Sequence, residues 1–370
     1  MRPITTFVRH NSIKAILAAE KGLKAVSNGK IGKNLFDIEP KFIGTDVRII
    51  KETDDSTFIA KCDTNGRIVN KPFKILVTTD LHLCDDKELI NKSLFMLAKH
   101  VEAEKPDLIL FTGDVVLTDH QQVDCIQFGK FMEKMGIYLS LIHISEPTRL
   151  LSFPHCLSKF GDPSLFGYGN FFINILSSPT SIQQSIVMLD SGRNTSPTHN
   201  IENGAPAELK CYDFLKKDQI DWYRKTILDL ENEYGKFKSI MAMHIALCEY
   251  EKVMQLDGNG NYIPTGKAEI LYGEMHESIG CSEFNSGMFD VIKELGTTQA
   301  VIVGHDHIND FCAKYDGIYL VYAQCDGYNT YTMGSNFGWD EKDWMQGVTM
   351  IDIDKEGKIV FRQRFNRDYL

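Results

Sequence analysis

The chain has 370 residues, of which 43% are hydrophobic and 24% are charged, and its formal net charge is −10. This is the composition of a soluble globular protein, and the length suffices for one large α/β domain or two average ones. Because the sequence has no extended basic block, we expect no binding to a nucleic-acid backbone, which needs clustered lysine and arginine.

The N-terminal region and the cysteines predict a cytoplasmic protein. Residues 1–22 contain no long apolar run, so we expect neither a signal peptide nor a membrane anchor. The nine cysteines form no Cys-x-x-Cys pair and are odd in number. That usage is typical of reduced thiols in the cytoplasm, and a core of this size needs no disulfides.

Residues 1–70 are interpreted as an N-terminal β-rich extension. Short β-prone runs lie at 46–50 and 57–60, and the dipeptide Asn65-Gly66 predicts a hairpin turn. Residues 71–370 are interpreted as the main domain. There, strands alternate with helices, which predicts a layered α/β fold.

Apolar periodicity assigns the elements of this main domain. Strands are predicted at 73–78, 107–112, 137–139, 186–190, 239–243 and 299–303, and helices at 89–104, 121–135, 217–233 and 286–295. The runs 317–322 and 347–352 are predicted to be edge strands.

Residues of metal-binding type follow four of these strands. Because ligands of α/β sheets bind beyond the carboxyl ends of strands, we expect the four strand ends to meet at one cleft. Glycines precede two of the sites and are expected to let the backbone turn sharply into the cleft. The candidate metal ligands, in chain order, are Asp80, His82, Asp114, His244, His305 and His307.

The side-chain types indicate which metals would bind. Carboxylate with imidazole suits zinc, manganese or iron, whereas an all-oxygen site suits magnesium or calcium. Each motif alone has an ordinary explanation: Gly113-Asp114 is compatible with a turn, and His244 with a core histidine. The ordered set is more specific, and it exceeds what a single structural zinc requires. It therefore favours a metal site.

This ordered set resembles four of the five signature blocks of the calcineurin-like metallophosphoesterases. The resemblance covers about residues 72–330, and the stretches 243–250, 285–289 and 304–311 are most similar to the bacterial and plant purple-acid-phosphatase-29-like subgroup. It implies a four-layer α-β-β-α sandwich, with two packed mixed sheets flanked by helices. Leu117 stands where true purple phosphatases have tyrosine, so we expect no purple iron–tyrosinate.

The resemblance also implies roles for the candidate ligands. Asp80, His82, Asp114 and His307 would hold one divalent metal ion. Asp114 would bridge to a second ion, which His244 and His305 would also bind. The implied activity is hydrolysis of a phosphomonoester or phosphodiester, in a small phosphorylated substrate, by a hydroxide that bridges the two ions.

One signature block of that family is absent. The family carries Gly-Asn-His-Asp/Glu after the third strand, and this chain has LSLIHISEPTR at 139–149 instead. Those eleven residues match an in-frame translation of a transposase sequencing adapter. We therefore hypothesise that the gene model is a chimera in which the native sequence around 139–152 was replaced. The alternative is a real insertion, with His143 as a weak substitute for the catalytic histidine and Asn170 or Asn174 as the amide ligand.

Several functions remain open on the sequence alone. The leading interpretation is a metal-dependent phosphoesterase whose activity is impaired in the chain as written. The alternatives are a non-catalytic metal-binding scaffold, a structural metal domain and, among enzymes, a nucleotide or cyclic-nucleotide phosphodiesterase. The loops 84–88, 249–265 and 324–336 are expected to set substrate specificity.

Overall fold

The computed structural model of the protein describes residues 37–84, 86–116, 121–142 and 150–369. Within these residues, sixteen strands form two large sheets and a small hairpin. The strands, numbered β1 to β16, are Val47–Glu52, Ser56–Lys61, Phe73–Thr78, Leu108–Phe111, Tyr138–Leu141, Phe171–Ser178, Ser181–Met188, Ser239–Ala242, Met254–Leu256, Tyr262–Pro264, Glu269–Tyr272, Thr298–Val303, Cys312–Tyr315, Ile318–Tyr322, Gly347–Ile353 and Ile359–Phe365. The helices, numbered α1 to α6, are Lys87–Glu104, Gln121–Met135, Pro197–Glu202, Lys217–Tyr234, Met288–Leu295 and Met333–Phe337.

Both large sheets are mixed. The larger has nine strands in the order β1-β2-β6-β7-β8-β12-β14-β13-β11, and the smaller has five in the order β16-β15-β3-β4-β5. Neighbours are parallel from β7 through β8 and β12 to β14, and from β3 through β4 to β5. The parallel strands of each sheet therefore end at one edge, as βα units require.

Alternating side chains of β3 and β4 build two cores. Ile75 and Leu110 belong to the cluster between the sheets, whereas Leu76 and Ile109 belong to the cluster under α1 and α2. This is the period of two expected of a strand buried on both faces. Residues of α4 and α5 cover the opposite face of the nine-stranded sheet. The prediction of a four-layer α-β-β-α sandwich is therefore confirmed.

Helix α1 shows how local sequence fixes one of these layers. The side chain of Asp86 accepts hydrogen bonds from the backbone N–H groups of Glu88 and Leu89, which caps the helix N-terminus. Its buried face includes residues 90, 94, 97 and 101, which recur at helical spacing. The helix ends at Lys105, whose φ is 48°, just before Pro106.

The prediction that residues 317–322 and 347–352 form edge strands is wrong. Strand β14 lies between β12 and β13, and β15 lies between β16 and β3. Both strands are mostly buried. Strand β15 pairs with its neighbour β16 and with the distant β3, and β14 pairs with its neighbour β13 and in parallel with β12. The local apolar pattern could not reveal that both sides of each strand are paired.

The N-terminal strands extend the nine-stranded sheet, since β2 pairs in parallel with β6. The predicted turn at Asn65-Gly66 is present, and it leads to an antiparallel bridge between Cys62 and Ile68. The domain boundary at residue 70 stays a prediction. Among the residues described, no helix has both the length and the apolar character needed to cross a bilayer.

Candidate metal centre

The six candidate ligands follow strands from both large sheets. Asp80 and His82 come after β3 and Asp114 comes after β4, in the five-stranded sheet. His244 follows β8, while His305 and His307 follow β12, in the nine-stranded sheet. Backbone hydrogen bonds join neighbouring loops, from the N–H of Asp80 to the carbonyl of Gly113 and from the N–H of Gly304 to the carbonyl of His244, both 3.1 Å.

Five of the six side chains form two groups that could each hold a metal ion. One group is Asp80, His82 and His307, and the other is Asp80, Asp114 and His244; the ligand atoms of each group lie within 4.8 Å of one another. Asp80 therefore belongs to both groups. Their assignment as metal ligands stays a prediction.

Asp114 also lies between two imidazoles. Its Oδ2 is 3.6 Å from Nε2 of His82 and 3.7 Å from Nε2 of His244. This position, between one histidine of each group, is compatible with the bridging role that the sequence predicted for it.

The two carboxylate oxygens of Asp80 have different surroundings. Oδ2 accepts hydrogen bonds from the hydroxyl of Thr79 at 2.7 Å and from the backbone N–H of His305 at 2.8 Å. Oδ1 is buried and has no hydrogen-bond partner. It lies 3.3 Å from Nε2 of His82, 3.5 Å from that of His307 and 4.0 Å from that of His244. A buried oxygen aimed at three imidazole nitrogens without a hydrogen bond has the environment of a metal ligand.

The electrostatics of Asp80 agree with this environment. Burial raises the pKa of Asp80, but the imidazoles of His244, His307 and His82 outweigh it and hold that pKa well below the usual range. The carboxylate is therefore ionised and needs positive charge nearby.

Hydrogen bonds on the far side of two imidazoles orient them. Nδ1 of His244 lies 3.0 Å from the carbonyl oxygen of Thr112, which can only accept, so Nδ1 carries the proton and Nε2 faces the carboxylates of Asp80 and Asp114. Nδ1 of His307 lies 2.7 Å from the hydroxyl of Thr330. Such outer contacts fix the ring and leave the inner nitrogen for a metal.

His305 stands slightly apart from the two groups. Its ring centroid is 5.0 Å from that of His244, and it lines the same cleft as His82, Asp114 and His307. Burial, together with the charge of His244, lowers the pKa of His305 to about 4. The imidazole is therefore neutral near pH 7, the form that binds metals.

The backbone at the site is strained. Asp80, His82, Asp114 and His305 all have left-handed backbones, with φ of 52°, 41°, 45° and 81°. Such conformations cost free energy in residues other than glycine and persist where tertiary contacts enforce them.

Gly113 and Gly304, the glycines that precede Asp114 and His305, are required for different reasons. Gly113 has a φ of 136°, as the predicted turn requires, and a Cβ there would lie 2.2 Å from Nδ1 of His244. The φ of Gly304 is not positive, so its backbone conformation does not itself require glycine. A Cβ at Gly304 would lie 2.0 Å from Oγ1 of Thr79, so glycine is needed there for close approach.

The site opens into a cleft of about 700 Å³. Of the three loops predicted to set specificity, 324–336 contributes Thr330 and Tyr331 to the lining. The sequence singled out neither Glu277 nor Asn194 as site residues, although both line the cleft. No motif marks them, because their positions depend on how separate loops fold together.

Asn170 and Asn174, the proposed substitutes for the asparagine of the missing block, do not lie at the cleft. Oδ1 of Asn170 accepts from the backbone N–H of Asp190 and from Gln219, and Asn174 is buried in β6, where it accepts from Ser185. Neither asparagine is among the residues that line the cleft. His143 and Leu117 lie outside the described residues.

The residues present fit divalent metal ions. The set combines carboxylate oxygen with neutral imidazole nitrogen, which zinc, manganese and iron accept. The buried Oδ1 of Asp80 makes no hydrogen bond, so it is a donor atom that the protein leaves available to a metal ion.

Comparisons with known proteins identify similar chains. No protein-family model matches. The chain is 26% identical over 336 residues to probable inactive purple acid phosphatase 29 of Arabidopsis thaliana, covering 78% of this chain and 79% of that protein. It is 26% identical over 295 residues to phosphatase DCR2 of Saccharomyces cerevisiae, covering 68% of this chain and 47% of that protein. A dimetal phosphatase from Danio rerio aligns in structure with a TM-score of 0.49 and 12% identity, over 80% of this chain and 96% of that one.

Proposed function

We propose that this chain is a calcineurin-like metallophosphoesterase, as its similarity to the two phosphatase-named relatives supports, and that its cleft hydrolyses a phosphate ester with two divalent metal ions. The observation that carries the proposal is the buried, unpartnered Oδ1 of Asp80, which faces the Nε2 atoms of three histidines. We also propose a cytoplasmic location, which is supported by nine cysteines that form no disulfide in the structure.

The two groups around Asp80 and Asp114 would divide the ions between them. Asp80, His82 and His307 would hold one ion, and His244 with His305 would hold the other, with Asp114 between them. When bound, such ions neutralise the charge of the phosphoryl oxygens and lower the pKa of the attacking water.

The protein's own contribution is to fix the donors before substrate binds. The hydrogen bonds that Oδ2 of Asp80 accepts and that Nδ1 of His244 donates hold those side chains, so no reorganisation is needed when charge develops on the phosphoryl group. The cleft above them is large enough for a small phosphorylated molecule.

The missing Gly-Asn-His block predicts reduced activity in the chain as written. Loss of one electrostatic stabiliser commonly costs about 10²–10³ in rate. We propose that the native gene encodes the block after residue 138, and that residues 139–149 are adapter sequence. Resequencing the source genome tests this. An uninterrupted native read that encodes LSLIHISEPTR would contradict the chimera hypothesis.

The same absence favours a second candidate function, a metal-binding scaffold without catalysis. Its support is the missing block itself, together with the name of the Arabidopsis relative, probable inactive purple acid phosphatase 29. The two candidates differ in turnover but agree on metal binding.

One experiment separates the two. The Gly-Asn-His-Asp block is restored after residue 138, guided by the native genome, and both chains are assayed on para-nitrophenyl phosphate and its bis ester with manganese. His307→Ala is made in the restored chain, with His199→Ala as a matched control because His199 lines a different cavity.

The phosphoesterase proposal expects turnover by the restored chain, its loss in His307→Ala, and its retention in His199→Ala. If neither chain turns over although both bind two metal ions, the scaffold function replaces it. If neither chain binds metal, both proposals fail.

A further inference from the structure

Three cysteines surround Ser282 at the side of the cleft. The thiol of Cys248 donates to the backbone carbonyl of Ser282 at 3.1 Å, and Sγ of Cys211 lies 3.4 Å from its hydroxyl. The third is Cys281, which lines the cleft and is half-buried, as the other two are. The proposed hydrolysis uses none of these thiols.

Two of the three cysteines lie on directly adjacent segments. Ala246 and Cys281 pair across a parallel bridge, which brings the segment after His244 alongside the cleft segment 277–281. Cys248 begins the short helical turn Cys248–Lys252, and its thiol donates to the backbone carbonyl of Ser282, the residue that follows Cys281. The bridge and this hydrogen bond hold the two cysteines side by side, as a disulfide requires.

We propose that Cys248 and Cys281 form a reversible disulfide that links the segment following His244 to the wall of the cleft. Cys211 is not part of this site. A thiolate metal site would need a third ligand within reach, and among the described residues these cysteines form no such group.

The bond forms by two thiol–disulfide exchanges with glutathione disulfide. The thiolate of Cys248 attacks one sulfur of glutathione disulfide, forming a mixed disulfide and releasing one glutathione thiolate. The thiolate of Cys281 then attacks the sulfur of Cys248, forming the protein disulfide and releasing the second glutathione. Two protein thiols are oxidised, one glutathione disulfide is reduced, and the two thiol protons pass to the two glutathione thiolates.

The acidities of the two thiols suit this order. The neighbouring thiol of Cys281 lowers the pKa of Cys248, whereas the thiol of Cys248, together with burial, raises the pKa of Cys281. The thiolate is the attacking species. Cys248 is therefore the thiol that reacts first.

The proposed disulfide would affect the candidate metal centre through Gly280. A Cβ at Gly280 would lie 2.6 Å from Cδ2 of His305, so this backbone packs directly against that imidazole. Its N–H also donates to Oδ2 of Asp306 at 2.9 Å. A disulfide at Cys281 would hold this side of the cleft in place. Because the bond closes a loop of 34 residues from Cys248 to Cys281, the thermal unfolding midpoint of the protein should rise by about 5 °C.

The test equilibrates the full chain with mixtures of glutathione and glutathione disulfide, alkylates the remaining thiols, and maps the peptides by mass spectrometry. The expected product is a Cys248–Cys281 peptide pair. It should disappear in Cys248→Ser and in Cys281→Ser, and it should persist in Cys211→Ser, the matched control from the same cluster.

The peptide map of the unsubstituted chain decides the proposal even if a variant fails to fold. Glutathione adducts on Cys248 or Cys281 without a protein link, a link through Cys211, or no oxidation of the pair would each overturn it. Because these readouts need neither metal nor substrate, the outcome is independent of the proposed hydrolysis.

Discussion

The ring of Tyr331 lies flat on the imidazole of His307, with centroids 4.2 Å apart and an interplanar angle of 1°. The hydroxyl of Tyr331 donates to the carboxylate of Glu277, 2.9 Å from Oε2, and accepts from the backbone N–H of His307 at 3.2 Å. The cleft thus holds His307 from one face of its ring and from its own backbone. Tyr331 is a positioning residue for a candidate metal ligand.

Replacing Tyr331 should weaken metal binding. Tyr331→Ala removes the stacked ring and both hydrogen bonds, and we expect manganese affinity to fall about 10–100-fold, as for other outer contacts of metal ligands. Tyr331→Phe keeps the ring and should lose less. Titration against a chelating dye measures both, and equal affinity in Tyr331→Ala and the parent would contradict the positioning role.

Asp80→Asn should abolish binding of at least one metal ion. Asparagine keeps the size of the side chain but removes the charge that faces three imidazoles. Because outer contacts alone are worth about 10–100-fold, loss of a shared ligand should cost more. Metal content after dialysis gives the stoichiometry, circular dichroism checks the fold, and Asp54→Asn on the exposed surface is the control. Undiminished metal content in Asp80→Asn would remove Asp80 from the centre.

Gly304→Ala should destabilise the protein and disturb the site together. Its Cβ would lie 2.0 Å from Oγ1 of Thr79 and 2.9 Å from Oδ2 of Asp80. Forcing an atom into such a contact costs about 1–3 kcal/mol. Gly258→Ala is the matched control, since a Cβ there meets nothing within 4 Å and needs no positive φ. Urea unfolding of both variants should separate them, and equal midpoints would show that the backbone at Gly304 can move aside.

Asp310 should make stability fall as pH rises between about 4 and 7. Burial, followed by the charge of Glu274, raises the pKa of Asp310 to about 7 from the model-compound value of 3.8. Below pH 4 the group is protonated in both the folded and the unfolded state. Between pH 4 and 7 only the folded state keeps the proton, so the free energy of unfolding decreases as pH rises.

The effect is on the order of 4 kcal/mol across this range for a shift of about three units. Asp310→Asn cannot titrate and should lack this part of the slope, while it can still accept the hydrogen bond from the N–H of Glu274. Urea unfolding at several pH values compares the two chains. Parallel stability profiles would mean that Asp310 is ionised in the folded protein.

The sequence by itself determined most of the helices and strands and the candidate residues of the site. The strand that begins at Phe73, the helix that ends at Glu104 and the helix Gln121–Met135 follow from local apolar spacing, because the residues that decide them lie within a few turns of one another. The six candidate ligands were found because metal-binding side chains at strand ends are unusual in residue type and position.

Only the tertiary structure decided how these residues meet. It placed Asp80 in both groups of ligands, Tyr331 on the ring of His307, and Gly304 against Thr79. It also placed β14 and β15 inside their sheets. Each of these facts depends on contacts between segments far apart in the chain, and strand pairing and side-chain packing at that range are set by the whole core, which no local pattern records.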